Sequence, residues 1–411
     1  MTGKIAIVGA GPSGCYLAQA LLKKAPDLEV DVIDQLPVPY GLVRYGVAAD
    51  HQGTKAVARQ FARVFERQGA RFFGNVTIGK DVSLDALRDA YDVVVLAAGL
   101  SADRRLGVPG DDLPGVYGAG RLTRALYEHP EAEALPDLGA HPVIIGNGNV
   151  AIDLLRLLAK SPAELDGSDL GEGPGHWLAS SGIETITITG RSPAARAKFD
   201  PVMVKELAKL SDVAIEVVNA GNSAEPAEAK RLEALATISG QETGARRIVF
   251  RFGLKPMAVE GDGKARAVRF DTGTGEEVLP CTSVLTAIGF QAAPGLPRDV
   301  LIGDALDAGA GRLAPGLYAT GWFRRGPRGT IPENRADAQA LAEVILADLS
   351  PDAVRAGRAV LGAADNIVDY AGWCRIDKAE TDSAPEGRCR KKIATRPEML
   401  AVAVTRETTT C

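Results

Sequence analysis

The first fourteen residues constrain this chain more than any other stretch. Apolar Ile5, Ala6, Ile7 and Val8 run straight into Gly9-Ala10-Gly11-Pro12-Ser13-Gly14. A strand that turns through such glycines into a helix is shaped for a pyrophosphate. Gly9 permits the tight turn, Gly11 lets backbone N–H groups approach the phosphates, and Gly14 lets the helix pack on the strand. Asp34 closes a second apolar run, Val30 to Ile33, at the distance where a carboxylate can hold the hydroxyl pair of a ribose. Strand, helix and acid together favour a dinucleotide site over the alternative, a glycine-rich turn of some other α/β protein.

The same logic returns later. Pro142-Val143-Ile144-Ile145 leads into Gly146-Asn147-Gly148-Asn149-Val150-Ala151, with alanine at the third glycine position, and Asp153 follows in the helix. The next strand, Ile183 to Gly190, ends in Arg191 and Ser192 instead of an acid. A guanidinium there suits a 2′-phosphate, so NADP is expected in this unit and FAD in the first. Ala287-Ile288-Gly289 echoes Ala97-Ala98-Gly99 at the end of the buried strand from Tyr91, and Gly316 to Trp322 gives a late strand returning to the first unit. The fold expected is α/β, with two Rossmann-like dinucleotide-binding domains. The FAD domain comprises residues 1–104 and 291–411, and the NADP domain, 105–290, is inserted in it.

Between these landmarks, helices are predicted at about 11–24, 54–68, 84–90, 149–160 and 335–349. Residues 163–176 read as a glycine-rich loop without evident chemistry, and the long segment 35–51 as a functional loop. A net charge of -5 over 411 residues gives no general attraction to nucleic acid or anionic membrane, so a basic docking face must be local. Cys15, Cys281, Cys374, Cys389 and Cys411 are scattered without CxxC or metal-ligand spacing, which predicts reduced thiols, a cytoplasmic setting and no metal. No apolar run reaches the roughly 18 residues of a membrane span, and a strand starting at residue 4 leaves no room for a signal peptide. Oligomeric state has no signature in the sequence.

Gly41-Leu42-Val43-Arg44-Tyr45-Gly46-Val47 with Asp50-His51, then Gly146 to Ala151 with Asp153, then Gly321-Trp322-Phe323-Arg324-Arg325-Gly326-Pro327 resemble, in that order, the adrenodoxin reductase-like ferredoxin-NADP reductase family. Gly372-Trp373 and Arg396-Pro397-Glu398-Met399-Leu400 resemble its tail, so the likeness spans almost the whole chain. It implies hydride transfer from NADPH to flavin and single-electron delivery to a ferredoxin-type iron–sulfur protein. Its flavin contacts fall on Gly9, Ala10, Pro12, Ser13, Asp34, Gly41, Leu42, Arg44, Val82, Trp322, Gly329 and Ile331, with Thr330 between the last two. Its nicotinamide contacts fall on Asn147, Gly148, Asn149, Val150, Arg191 and Glu206, with Trp322 and Gly329 near the ring. His51 and Asp153 match the pair beside the meeting point of the cofactors. Three bland roles compete: a helix cap for His51, a helix N-terminal charge for Asp153, and a solvated helix residue for Glu206.

Departures from the family pattern bear on cofactor choice and docking. Ser192 replaces a second arginine, with Arg196 as a candidate substitute, and Pro332 removes a backbone donor near the expected flavin. Lys230 and Arg231 are what remains of the family's basic docking region, and Arg324, Arg325 and Arg328 form another candidate docking cluster. Chemistry independently requires nicotinamide C4 and flavin N5 at about 3 to 3.5 Å and needs no nucleophile. The lack of CxxC closes the dithiol route. Two alternatives stand beside the ferredoxin reductase: a flavin oxidoreductase with a pathway-specific acceptor, and a non-catalytic protein that binds flavin and nicotinamide.

Overall fold

The computed structural model describes residues 3–240, 243–293, 295–351 and 355–404; Cys411 lies outside them. The chain divides into two compact units, one of residues 1–102, 128–131 and 290–411, the other of 103–127 and 132–289.

The first unit opens with β1 (Lys4–Val8), α1 (Pro12–Lys24) and β2 (Glu29–Ile33). Three short helices follow, α2 (Leu42–Tyr45), α3 (Gln52–Lys55) and α4 (Ala58–Glu66), then β3 (Arg71–Phe73), α5 (Leu84–Ala90) and β4 (Val93–Leu96). The helix expected at 54–68 is thus two helices. Within the segment 35–51, α2 forms a single turn whose amides reach back to Gly41.

The second unit contributes β5 (Val116–Gly118), α6 (Ala119–Leu126), β6 (Pro142–Ile145), α7 (Asn149–Ala159) and α8 (Glu172–Ala179). It continues with β7 (Thr185–Gly190), α9 (Pro201–Lys205), β8 (Val213–Val218), α10 (Pro226–Ile238) and β9 (Arg246–Phe252). A meander of β10 (Lys255–Glu260), β11 (Ala267–Asp271) and β12 (Glu276–Pro280) precedes β13 (Ser283–Thr286). The segment 163–176, expected as a loop, contains the start of α8. Glycine and proline disguise it, but Glu172 in the first turn and buried Pro174 and Leu178 give it an anchored helical face.

The chain then returns to the first unit with α11 (Arg298–Gly303), β14 (Arg312–Ala314), β15 (Leu317–Ala319), α12 (Gly321–Arg325), α13 (Ile331–Asp348), α14 (Tyr370–Asp382) and α15 (Arg396–Val404). α13 begins four residues before the expected Arg335. Thr330 and Glu333 form a capping box around Pro332 in its first turn. First-turn amides have no partner inside a helix, so the donor that Pro332 lacks costs nothing there.

The first sheet has the order β14-β15-β4-β1-β2-β3, parallel except for its β14–β15 edge. The second has the parallel order β5-β13-β6-β7-β9-β8. In each, the glycine-rich turn leaves a central strand at its carboxyl end, where open parallel sheets bind ligands. Both central strands are fully apolar on both faces beyond Lys4, as strands covered on both sides must be.

Candidate dinucleotide sites

In the first unit, Gly9 adopts φ +113°, and a Cβ there would stand 2.5 Å from the Ala97 carbonyl. Its amide donates to Ile33 O at 2.7 Å. A Cβ on Gly14 would collide with Gly9 O, so α1 lies against the turn with no room for a methyl group. Gly11 differs from both. It is the N-cap of α1, carries no capping side chain, and has no atom within 4 Å of the Cβ it lacks. The free first-turn amides and the open space fit a pyrophosphate, and Pro12 at the first helical position needs no donor.

Asp34 hangs over this turn. Its Oδ2 accepts the Ala10 amide at 2.8 Å and its Oδ1 accepts the Leu36 amide at 2.9 Å. Burial pushes its pKa up to about 6, against the pull of those two amides. Each oxygen retains a lone pair for a ribose hydroxyl. A cleft beside it is lined by Gly9, Asp34, Ile78, Ala98, Gly99 and Phe323. Val82 is buried and bridges to Ile78 on its wall.

The segment 35–51 is pinned over the cradle. The Tyr40 amide donates to Ala10 O at 2.9 Å, and a Cβ on Gly41 would come 3.1 Å from Gly11 Cα. Leu42 remains 39% exposed, an apolar side chain available to a ligand. Arg44 behaves otherwise. Its guanidinium pairs with fully buried Glu380 of α14 and lies over the rings of Tyr45 and Trp373, at 5.1 and 5.3 Å from the centroids. Arg44, expected among the flavin contacts, has its charge taken up by the C-terminal helix, and it holds the loop. His51 occupies the N-cap of α3, but its side chain makes no capping hydrogen bond.

Trp322, on α12, stacks on Phe290 at 5.9 Å and donates its indole N–H to Gly329 O at 3.1 Å. Thr330 and Ile331 open α13 directly after Gly329. A Cβ on Gly321 would strike Ser13 Oγ, which brings the late motif against the first turn. Arg324 and Arg325 both pair with Asp337, and Arg325 also donates to Asn334 at 2.7 Å. As a docking cluster this set is therefore reduced to Arg328, the exposed member.

The second unit repeats the first turn. Gly146 has φ +119°, its amide donates to Thr189 O at 2.9 Å, and a Cβ there would collide with Ala287 O. Gly148 is an uncapped N-cap with no atom within 4 Å of its missing Cβ, again a space for phosphate. The asparagines organise the segment facing it: Asn149 Oδ1 accepts the Asp200 amide at 2.8 Å, and Asn147 Oδ1 accepts the Lys198 amide at 3.5 Å. Asn147 Nδ2 is buried against Gly190 without a partner among the described residues, a donor left for a ligand. Val150, in the first turn of α7, is half-buried.

Arg191 is exposed at the end of β7, and the Ser192 carbonyl accepts the Gly253 amide at 3.1 Å. Arg196 pairs with Glu228 at 3.1 Å, so its charge is offset and it is a poor substitute for the missing second arginine. Asp153 and Glu206 come together on Arg156, a residue the sequence reading missed. The Arg156 side chain is 4% exposed and lies 3.2 Å from Asp153 and 4.0 Å from Glu206. Only the i,i+3 spacing from Asp153 could have pointed to it. His51 belongs to the first unit, and Asp153 and Glu206 to the second.

Comparison with known proteins follows the same lines. Residues 3–303 match the model of the family described as pyridine nucleotide-disulphide oxidoreductase. The chain is 42% identical to cindoxin reductase of Citrobacter braakii over 97% of this chain and 91% of that one. It is 35% identical to NADPH-ferredoxin reductase FprA of Mycobacterium tuberculosis over 97% and 99%. The solved structure of M. tuberculosis FprA in complex with NADPH superposes with a TM-score of 0.88 at 33% identity, covering 98% of this chain and 100% of that one.

Proposed function

Because the chain belongs to the pyridine nucleotide-disulphide oxidoreductases, in their ferredoxin-NADP reductase branch, we propose that it uses FAD to carry electrons from NADPH to a ferredoxin-type iron–sulfur protein. FAD, when bound, takes electrons in pairs from the nicotinamide and releases them singly. Cys15, Cys281 and Cys374 are free thiols among the described residues, with no CxxC spacing between them, and burial raises the thiol pKa of Cys15 and Cys281. Among the described residues no helix is long and apolar enough to cross a membrane. A cytoplasmic setting suits these reduced thiols.

One observation carries the assignment of cofactors. Two uncapped helix N-termini each face open space above a glycine, and the strand that follows ends in Asp34 in one unit and in Arg191 in the other. Gly9 to Gly14 hold the FAD pyrophosphate and Asp34 its ribose. Leu42 and Val82 give apolar contact, and Trp322 with Gly329, Thr330 and Ile331 closes on the flavin side. Gly146 to Val150 hold the NADP pyrophosphate, and Arg191 with Ser192 holds its 2′-phosphate.

Arg156 pairs with both Asp153 and Glu206, two carboxylates whose oxygens are acceptors suited to the carboxamide N–H groups of a nicotinamide. The experiment is anaerobic rapid mixing of the flavin-loaded protein with NADPH and then with a ferredoxin. The expected result is fast bleaching of the flavin, faster with NADPH than with NADH, followed by ferredoxin reduction. A flavin that NADPH leaves yellow would overturn the assignment.

A further inference from the structure

An electron carrier must find this chain, and the net charge of -5 repels an acidic protein at long range. Most of the obvious basic candidates are already committed. Arg324 and Arg325 are paired with Asp337, and Arg231 donates to the carbonyls of Ala195 and Ala227 at 3.2 and 3.1 Å. On α10, Glu228 and Glu233 take up Arg196 and Lys205.

α4 is different. Arg59, Arg63 and Arg67 recur at every fourth position along it and its C-cap, so they stand on one side of the helix. All three are exposed, and none forms an ion pair with a described residue. Glu66 is the one acid of the helix, so the stretch from Arg59 to Arg67 is positive. The opposite face carries Phe61, Val64 and Phe65, all buried. Phe61 packs on Tyr16 of α1 at 4.9 Å and on Tyr40 at 6.1 Å, and the Tyr40 amide is bonded to Ala10 in the glycine turn. Gln60 donates to Gln19 of α1 at 2.8 Å. The arginine ridge is therefore carried on a helix packed against α1, the helix that the first glycine turn opens.

We propose that the Arg59, Arg63 and Arg67 ridge docks an acidic one-electron carrier protein. The inference rests on the ferredoxin reductase reading and names the surface that reading needs. One NADPH supplies two electrons, so two carrier molecules dock in turn and each leaves with one. The guanidiniums steer the encounter and set its salt dependence, while affinity beyond that comes from the contact made on arrival.

The test is the triple reversal Arg59→Glu, Arg63→Glu, Arg67→Glu in the flavin-loaded protein, with a [2Fe–2S] ferredoxin relaying electrons to cytochrome c. At low salt the ferredoxin-dependent kcat/KM should fall by about tenfold to a hundredfold, and the gap from the parent should close as salt rises to about 0.5 M. Flavin content and NADPH-driven ferricyanide reduction should stay unchanged, since ferricyanide needs no docking face. The neutral triple Arg→Gln variant should fall between the two. Ferredoxin activity unchanged in both variants overturns the ridge and leaves the enzyme reading standing. A fall in ferricyanide reduction equal to the fall with ferredoxin also overturns it. A parent protein whose flavin is bleached by NADPH but which reduces no ferredoxin sinks the underlying reading instead.

Discussion

The two glycine-rich turns are built to one plan and finished differently. In both, the first glycine has a positive φ and its amide bonds the neighbouring strand. It also lies against the carbonyl of the small residue ending the next strand over, Ala97 in one unit and Ala287 in the other. In both, the second glycine faces open space at an uncapped helix start. They part at the third position. Gly14 touches its own turn so closely that no side chain fits, whereas the second unit accommodates Ala151, fully buried. They part again in what braces the turn: a loop tied down by a buried ion pair in the first, and two asparagine side chains in the second. The plan follows from what a pyrophosphate needs, and the finish from which nucleotide each unit holds and how firmly.

The largest effects should come from the glycines. Gly14→Ala drives a methyl group into Gly9 O and should cost about 3 kcal/mol or more, seen as lost soluble yield or a sharply lowered Tm. Ala151→Gly, at the matching site, should cost only about 1 kcal/mol. Gly11→Val and Gly148→Val should both fold, because the added Cβ has no protein atom within 4 Å at either position, and should separate the units. The first variant should purify colourless, and the second yellow but unreduced by NADPH. A fully flavin-loaded Gly11→Val protein would show that the comparison is drawn wrongly.

Comparable in size is the brace. Arg44→Met leaves Glu380 buried, with Arg390 at 2.8 Å as its remaining charged partner, and should destabilise the protein by about 3 to 5 kcal/mol in urea unfolding. Burial alone would raise the Glu380 pKa, but Arg44 and Arg390 together hold it below the usual carboxylate range. That contribution is present above the unfolded carboxylate pKa and is lost as pH falls through the folded one. Asn149→Ala in the other unit breaks one hydrogen bond and should cost about 1 kcal/mol. Equal losses from Arg44→Met and Asn149→Ala would erase the distinction between the two braces.

The shared plan was legible in the sequence because it is local. Gly9 to Gly14, Asp34, Gly146 to Ala151 and Arg191 are each set by spacing along a strand, a turn and a helix. The echo between Ala97-Ala98-Gly99 and Ala287-Ile288-Gly289 was visible too, although its cause, a carbonyl pressed on each turn's first glycine, was not. What was illegible joins distant parts of the chain. Arg44 meets Glu380 across 336 positions, and no periodicity reports such a pair. Arg156 hid inside an ordinary amphipathic helix, where an arginine is usually solvated. α8 and the early start of α13 were masked by glycine and proline, whose helix-breaking tendency does not apply in a first turn.

Cofactor choice should respond to the strand ends. Arg191→Ala removes a charge-assisted hydrogen bond worth about 1.5 to 3 kcal/mol, so kcat/KM for NADPH should fall roughly tenfold to a hundredfold while that for NADH changes little. Ser192→Arg should move the ratio the other way. Equal kcat/KM for the two nucleotides in the parent, unchanged in Arg191→Ala, would remove the 2′-phosphate from this strand end.

The smallest effect, and the one that isolates the acid of the first unit, is the pH dependence of Asp34. Its folded pKa, about 6, lies above the roughly 3.9 of an unfolded aspartate. Between these values the folded, flavin-free protein binds the extra proton, so Asp34 makes that form more stable as pH falls from 7 towards 4. Flavin binding runs in the opposite direction, since a ribose hydroxyl pair donates to the carboxylate and a protonated acid is the weaker acceptor. FAD affinity should therefore drop by about tenfold between pH 7.5 and pH 5, in the range where the flavin-free protein gains stability from the same proton. Asp34→Asn should bind FAD more weakly at pH 7.5 and lose most of the pH dependence in both measurements. Fluorescence titration of FAD into the stripped protein at four or five pH values decides it. A pH profile that Asp34→Asn leaves unaltered would place the titrating group elsewhere and reduce Asp34 to what its bonds to Ala10 and Leu36 already make it, a clasp on the turn.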